Sequence, residues 1–134
     1  MKIDIAEMLA EFHVSFYDQT FGDGSVQDSA LRRSLHDEEL SELIEAHAWL
    51  MAAFDAENLA AVARELADIV YIVYGTAFRL GIPLDEVITE VHRANMTKLG
   101  EDGRPIFRED GKLLKPRTFR APDVAGVLAT HQAE

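Results

Sequence analysis

Apolar residues recur at three- and four-residue spacing through most of the chain, which is the pattern of amphipathic helices. Leu9, Phe12 and Phe16 show this spacing in the first segment. The pattern predicts helices over residues 3–19, 29–54, 59–80, 84–99 and 123–131. We therefore expect an all-α protein built as a bundle of four or five helices.

Local signals suggest where these helices begin and end. Asp28 is the predicted N-cap of the second helix, and Asp55 to Asn58 reads as a turn before the third. Gly81 with Pro83 just beyond is a stop signal for the third helix. Residues 100–120 contain two Asp-Gly pairs, which indicate a loop or small hairpin with almost no strand.

The composition is that of a globular protein with one domain over residues 1–134. Of its 134 residues 48% are hydrophobic and 28% are charged, and there is no cysteine, which excludes disulfides and thiolate metal sites. No apolar run is long enough for a membrane span, and Asp4, Glu7 and Glu11 interrupt the N-terminal segment. We therefore expect a cytoplasmic protein that does not enter a membrane.

The net charge of −11 argues against a nucleic-acid-binding protein, which needs a cationic face for phosphates. The charge is unevenly distributed, however. Residues 93–120 hold eight of the 13 basic residues but only four of the 24 acidic ones. An acidic body with an irregular basic C-terminal segment fits a polyanionic ligand held between metal-loaded carboxylates and cations, although an ordinary solvated surface has the same composition.

The third predicted helix is apolar nearly all the way round from Ile69 to Phe78. A helix without a polar face must be covered on every side, and a small bundle can hardly do that alone. We therefore predict that this helix packs against another copy of the chain, in a homodimer or a higher homo-oligomer.

The second helix carries acidic residues on an apolar stripe. At about 100° per residue, Glu38, Glu42 and Glu45 fall on the same stripe as Leu31 and Trp49. We expect this stripe to face inward, where carboxylates repel one another and lose solvation unless cations bind them.

The third helix repeats the pattern with Glu65 and Asp68, which interrupt an apolar face. If the two helices pack antiparallel, their acids converge. Carboxylate oxygens without histidine or cysteine suit a hard cation, so we predict Mg²⁺, with Mn²⁺ as a possible substitute. The predicted metal ligands are Glu38, Glu39, Glu42, Glu65 and Asp68.

The fourth helix offers counter-charges. The helical wheel places Asn95 and Lys98 on the core-facing arc, while Glu90 and Arg93 point away. An inward lysine needs an acidic partner or a substrate phosphate. The loop lysines at 112 and 115 could close over a phosphate chain. The candidate substrate-binding residues are Asn95, Lys98, Lys112 and Lys115.

The segment Glu38-Glu39-Leu40-Ser41-Glu42, followed on the next helix by Glu65-Leu66-Ala67-Asp68, resembles the ExxE…ExxD signature of the all-α nucleoside triphosphate pyrophosphohydrolases. That superfamily includes MazG proteins, dimeric dUTPases and phosphoribosyl-ATP pyrophosphohydrolases. Residues 90–98 and 110–116 look like the later substrate-binding blocks of MazG-like proteins with dUTPase-type activity. The likeness extends from about Ala10 to Leu128.

The resemblance implies Mg²⁺-dependent hydrolysis of a nucleoside triphosphate to the monophosphate and pyrophosphate. It implies that Glu39, Glu42, Glu65 and Asp68 bind metal, and that Glu38 is a further ligand or the base that activates water, so Glu38 and Glu39 are the candidate catalytic residues. Asn95 would touch sugar or phosphate, and the lysines would bind phosphates. The family's oligomers agree with the apolar third helix.

The substrate stays open at this point. The C-terminal blocks favour dUTP or a related pyrimidine deoxynucleotide, and Phe12, His13 and Trp49 are candidates for a base pocket. Phosphoribosyl-ATP is the alternative substrate. A non-catalytic helical module that binds metal or a partner helix through its acidic groove is the alternative from another class, and the inward Asn95 and Lys98 argue against it.

Overall fold

The computed structural model describes residues 2–134, and within that range it contains five helices and no extended strand. The helices are α1 (Ile5–Tyr17), α2 (Val26–Ala52), α3 (Ala56–Leu80), α4 (Leu84–Met96) and α5 (Val124–Ala133). The all-α prediction is confirmed. Within the described range, no single helix has both the length and the apolar composition of a membrane span, and only α3 and α4 counted together reach them.

The chain divides into two compact units. The first, Met1–Ile82, contains α1, α2 and α3, and the second, Pro83–Glu134, contains α4 and α5. The assignment of residues 1–134 to one domain stays a prediction.

The core of the first unit forms where α3 packs against both α2 and α1. Leu9, Ala46, Val62 and Phe78 are buried there. His13 is also buried, with its ring stacked on Phe78 at 5.1 Å between centroids. The suggestion that His13 lines a base pocket is therefore wrong, because the imidazole is part of the core.

The start of α2 is fixed by a capping box rather than by the predicted N-cap. Ser25 is the N-cap; its hydroxyl accepts from the Asp28 N–H, and the Asp28 carboxylate accepts from the Ser25 N–H at 2.8 Å. Asp28 and Asp23 also pair with the buried Arg79 guanidinium, and the Gly24 N–H donates to the Arg79 carbonyl at 2.7 Å. The capping box, together with these tertiary contacts, places the helix start three residues earlier than predicted.

Helix α3 begins earlier than predicted and ends at the predicted C-cap. Asp55 is its N-cap and accepts from the Asn58 N–H at 2.8 Å, so the residues read as a turn form the first turn of the helix. At the other end Gly81 adopts the predicted left-handed C-cap, with φ of 71°.

In the second unit a charged network joins α4 to the start of α5. The Glu90 carboxylate accepts from Arg93 Nη2 at 2.6 Å and from the N–H of Asp123, the N-cap of α5, at 3.0 Å. These bonds, above all that from Arg93, lower the pKa of Glu90 to about 2. Glu90 is partly buried and Asn95 is exposed. The helical wheel predicted the reverse, with Asn95 facing the core and Glu90 facing away, and is wrong for both residues.

The segment between α4 and α5 forms two tight loops. Isolated β-bridges join Leu99 with Pro105 and Phe107 with Leu113, and the glycine of each Asp-Gly pair has a positive φ. This agrees with the predicted loop or small hairpin.

Several large apolar residues of the first unit are exposed. Between Ile69 and Phe78 of α3 they are Val70, Tyr71 and Val73, which agrees with the apolar face noted in the sequence. Leu31 and Trp49 of α2 are 58% and 51% exposed. Their predicted burial is therefore wrong for the single chain, because α2 turns a different face toward α3.

Candidate functional site

Helices α2 and α3 pack antiparallel, and side-chain hydrogen bonds join them near both ends. Near one end the Arg32 guanidinium donates to Thr76 Oγ1 at 2.9 Å. Near the other, the Asn58 side-chain amide donates to the carbonyl of Ala53 at 2.8 Å and to that of Trp49 at 3.3 Å. The predicted acidic positions lie between these two sets of hydrogen bonds.

Between these hydrogen bonds three carboxylates lie close together and form what we call the acidic cluster: Glu39 and Glu42 of α2 and Glu65 of α3. One oxygen from each lies within 4.8 Å of the other two. Two ligands on opposite sides of one Mg²⁺ ion lie about 4 Å apart, so small side-chain movements would let the three share a cation.

The cluster contains carboxylate oxygens without protein partners. Oε2 of Glu39 and Oε2 of Glu65 are buried and accept no hydrogen bond within the described part of the chain. A buried oxygen in this state loses its solvation without compensation, so it calls for a ligand. The atoms available as metal ligands are all carboxylate oxygens, which suits Mg²⁺ or Mn²⁺ and does not suit a soft metal. The residues present thus fit the predicted cation.

The electrostatics of the cluster agree with this geometry. The pKa of Glu39 is raised by burial first and then by the negative charges of Glu42, Asp68 and Glu65. The pKa of Glu65 is raised by burial and by Glu42 and Asp68. Mutual repulsion of this kind is relieved when a cation binds.

The two remaining predicted ligands lie at the margin. Asp68 is close enough to raise the pKa of Glu39 and Glu65, and its own carboxylate lies 3.9 Å from Arg64 Nε. Glu38 is exposed and does not belong to the group of three. The roles of both stay predictions.

The predicted substrate-binding residues belong to the second unit. Asn95 and Lys112 are exposed and Lys98 is partly buried. Lys115 is exposed, and its ammonium lies 5.1 Å from the centre of the Phe119 ring. Their contribution to binding stays a prediction.

Sequence reasoning missed the polar residues beside the cluster. His36 Nε2 lies 2.7 Å from Thr76 Oγ1, and Arg32, also bonded to Thr76, is buried. Arg32, His36 and Glu39 follow three- and four-residue spacing, which is the signal that could have identified the inner face of α2. His36 and Glu39 also line a cavity of about 200 Å³ with Leu40, Ile69, Ile72 and Val73.

The raised pKa values predict that the cluster destabilises the metal-free fold. A carboxylate with a raised folded-state pKa contributes stability below its ordinary value of 4.5 and loses it as pH rises. At pH 7.5 in chelator, Glu65→Gln should therefore raise Tm, because the variant loses one charge of the mutually repelling cluster. Millimolar Mg²⁺ should raise the Tm of the wild type more than that of the variant.

Differential scanning calorimetry measures both effects, and the exposed Glu11→Gln, which makes the same charge change on α1, is the control. A lower Tm for Glu65→Gln in chelator, or an equal response of both proteins to Mg²⁺, would contradict the destabilising role.

The chain is similar to a family of known proteins. No curated protein matches the chain. A family model described as phosphoribosyl-ATP pyrophosphohydrolase matches residues 5–95, a span that includes the whole acidic cluster. The chain therefore belongs to the phosphoribosyl-ATP pyrophosphohydrolase family, a branch of the all-α nucleoside triphosphate pyrophosphohydrolases, and is a pyrophosphohydrolase that acts on an acid anhydride.

Proposed function

We propose that this protein is a Mg²⁺-dependent nucleoside triphosphate pyrophosphohydrolase that releases the nucleoside monophosphate and pyrophosphate. The observation that carries the proposal is the acidic cluster with its two unpartnered buried oxygens, on Glu39 and Glu65, inside the residues that match the family. A cluster that served only to solubilise the surface would leave its oxygens in water.

The residues divide the chemistry between them. Glu39, Glu42 and Glu65 supply the oxygen ligands, with Asp68 as a further one. A Mg²⁺ ion held by them would supply positive charge for the triphosphate and would favour deprotonation of the attacking water. The anhydride bond between the α- and β-phosphates breaks, the water oxygen bonds to phosphorus, and a carboxylate, for which Glu38 is a candidate, accepts the proton.

The cationic residues recognise the phosphates. Lys98, Lys112 and Lys115 would neutralise charge on the polyphosphate, and Asn95 would bind sugar or phosphate. The excess of basic residues in 93–120 supports this role. The proposed substrate is dUTP or a related pyrimidine deoxynucleotide, on the likeness of residues 90–98 and 110–116 to MazG-like blocks.

Phosphoribosyl-ATP is the second candidate substrate, because the family model that covers residues 5–95 carries that description. It presents the same chemical element, an anhydride between α- and β-phosphates on a nucleoside. The same acidic cluster could therefore act on either compound.

A pyrophosphate-release assay over canonical and damaged nucleoside triphosphates and phosphoribosyl-ATP separates the candidates. We expect Mg²⁺-dependent turnover with dUTP or a related pyrimidine highest, and turnover of phosphoribosyl-ATP alone would assign the second candidate. If melting shows stabilisation by Mg²⁺ and no further shift with a non-hydrolysable dUTP analogue, and nothing is turned over, the protein is a metal-binding helical module instead.

We also propose a homodimer or higher homo-oligomer. The exposed apolar side chains of Val70, Tyr71 and Val73 on α3, with Leu31 and Trp49 on α2, are what a subunit contact would cover. Sedimentation equilibrium tests this, and a monomer at micromolar concentration would contradict it.

A further inference from the structure

Three polar side chains, which we call the polar clamp, join α2 to α3 next to the acidic cluster: Arg32, His36 and Thr76. Arg32 Nε donates to Thr76 Oγ1 at 2.9 Å, and Arg32 Nη2 donates to the Ile72 carbonyl at 2.7 Å. His36 Nε2 lies 2.7 Å from the same Thr76 oxygen. One threonine hydroxyl on α3 therefore connects two side chains of α2.

The hydroxyl of Thr76 has enough bonding capacity for all its contacts. It carries one proton and two lone pairs, and the Arg32 N–H occupies one lone pair. If the proton goes to the Ile72 carbonyl at 3.2 Å, His36 Nε2–H donates to the second lone pair; otherwise the hydroxyl donates to His36. In both arrangements the imidazole is held in place.

The backbone of α3 is shaped to admit this clamp. A Cβ on Gly75 would lie 2.5 Å from Arg32 Nη2 and 3.0 Å from His13 Nε2. Any other residue at position 75 would displace the guanidinium. The clamp thus occupies space that only a glycine leaves open, and Arg32 is buried there, with 9% of its surface exposed.

The clamp lies close enough to the cluster to control its geometry. His36 and Glu39 are one helical turn apart and line the same cavity of about 200 Å³, whose other wall includes Ile69 and Ile72 of α3. Sliding or rotation of α2 against α3 would separate Glu39 and Glu42 from Glu65, and repulsion among the three favours such movement. The clamp opposes it.

We propose that Thr76 and His36 are positioning residues that hold α2 and α3 in the register at which Glu39, Glu42 and Glu65 share one cation, an inference that rests on the proposed function.

Thr76→Val tests the proposal, because valine keeps the shape of threonine and removes the hydroxyl. We expect the Kd for Mn²⁺, measured on the full chain by electron paramagnetic resonance, to rise about tenfold, as for other residues that support metal ligands. The Mg²⁺ concentration for half-maximal hydrolysis should rise in parallel. Thr76→Ser restores the hydroxyl and should restore both values to within about twofold.

Thr89→Val is the matched control, since Thr89 also donates to the carbonyl four residues earlier, at 2.8 Å, but lies on α4. His36→Phe is a second variant that leaves the Arg32–Thr76 bond intact. Loss of stability alone would leave the Mn²⁺ Kd unchanged in protein kept well below its Tm. An unchanged Kd in both Thr76→Val and His36→Phe would overturn the proposal.

The result also separates this inference from the proposed function. A wild type that binds Mn²⁺ and loses affinity on Thr76→Val, yet hydrolyses no nucleotide, supports the clamp and contradicts the proposed reaction. An active wild type whose metal dependence is the same in Thr76→Val and His36→Phe supports the reaction and contradicts the clamp.

Discussion

Glu39→Gln is expected to lower Mg²⁺-dependent pyrophosphate release about a hundredfold or more while the fold survives. Glutamine keeps the size of the side chain but removes the charge. One of the two carboxylate oxygens is replaced by an NH₂ group, which cannot bind a cation. Because Glu39 Oε2 has no protein partner to lose, the change should not destabilise α2.

Initial rates at saturating Mg²⁺ measure the effect, with circular dichroism as the check on folding. Glu45→Gln, the same substitution at an exposed position on the same helix, is the matched control and should keep the rate of the wild type. Activity of Glu39→Gln within threefold of that control would contradict the assignment of the acidic cluster. Activity of Asp68→Asn within threefold of the same control would contradict the predicted role of Asp68 as a ligand.

Leu9→Ala is expected to lower the free energy of unfolding by about 3 kcal/mol. Leu9 is 1% exposed and is the largest fully buried side chain of the described residues. Its removal leaves a cavity where α1 packs on α3, in the unit that also carries the acidic cluster. For a chain of this length the midpoint of thermal unfolding should fall by about 10 °C.

Urea unfolding followed by circular dichroism gives the free energy directly. The neighbouring Met8 is 47% exposed, and Met8→Ala should cost less than about 1 kcal/mol. Equal losses in the two variants would show that α1 does not pack on α3 as described.

The helices could be predicted because their periodicity and end signals are local. Gly81 is followed closely by a proline, and its left-handed conformation needs no knowledge of the rest of the fold. The start of α2 was missed although part of its signal is local, because Ser25 and Asp28 are three residues apart and form the capping box. The ion pair of Asp28 with Arg79, which is distant in sequence, was not visible from the pattern.

The site could be predicted in part. Periodicity showed that acids of two successive helices would share apolar faces, and the acidic cluster agrees with that. It could not show which stripe of α2 faces inward, because the buried face carries Arg32 and His36 while Leu31 and Trp49 are exposed. Polar groups on that face are satisfied by Thr76, a contact that a helical wheel does not contain.

The same limit applies to α4. The helical wheel placed Asn95 on the inner face of α4, but its side chain is exposed, and so are those of Ile88 and Val91. Glu90 is drawn inward by Arg93 and by the N–H of Asp123, residues that belong to another turn and another helix. Burial of a charged group follows its partners, and hydropathy does not report them.

The division of the chain at Ile82 places the acidic cluster in one unit and the three candidate phosphate-binding lysines in the other. Leu9, Ala46 and Val62, which support the helices of the acidic cluster, all precede that point, and Lys98, Lys112 and Lys115 all follow it. Substitution of these three lysines therefore leaves the residues that pack α2 on α3 unchanged in sequence. On the proposed function, phosphate recognition and hydrolysis would then depend on separate stretches of the chain, and either could change in evolution while the other is inherited.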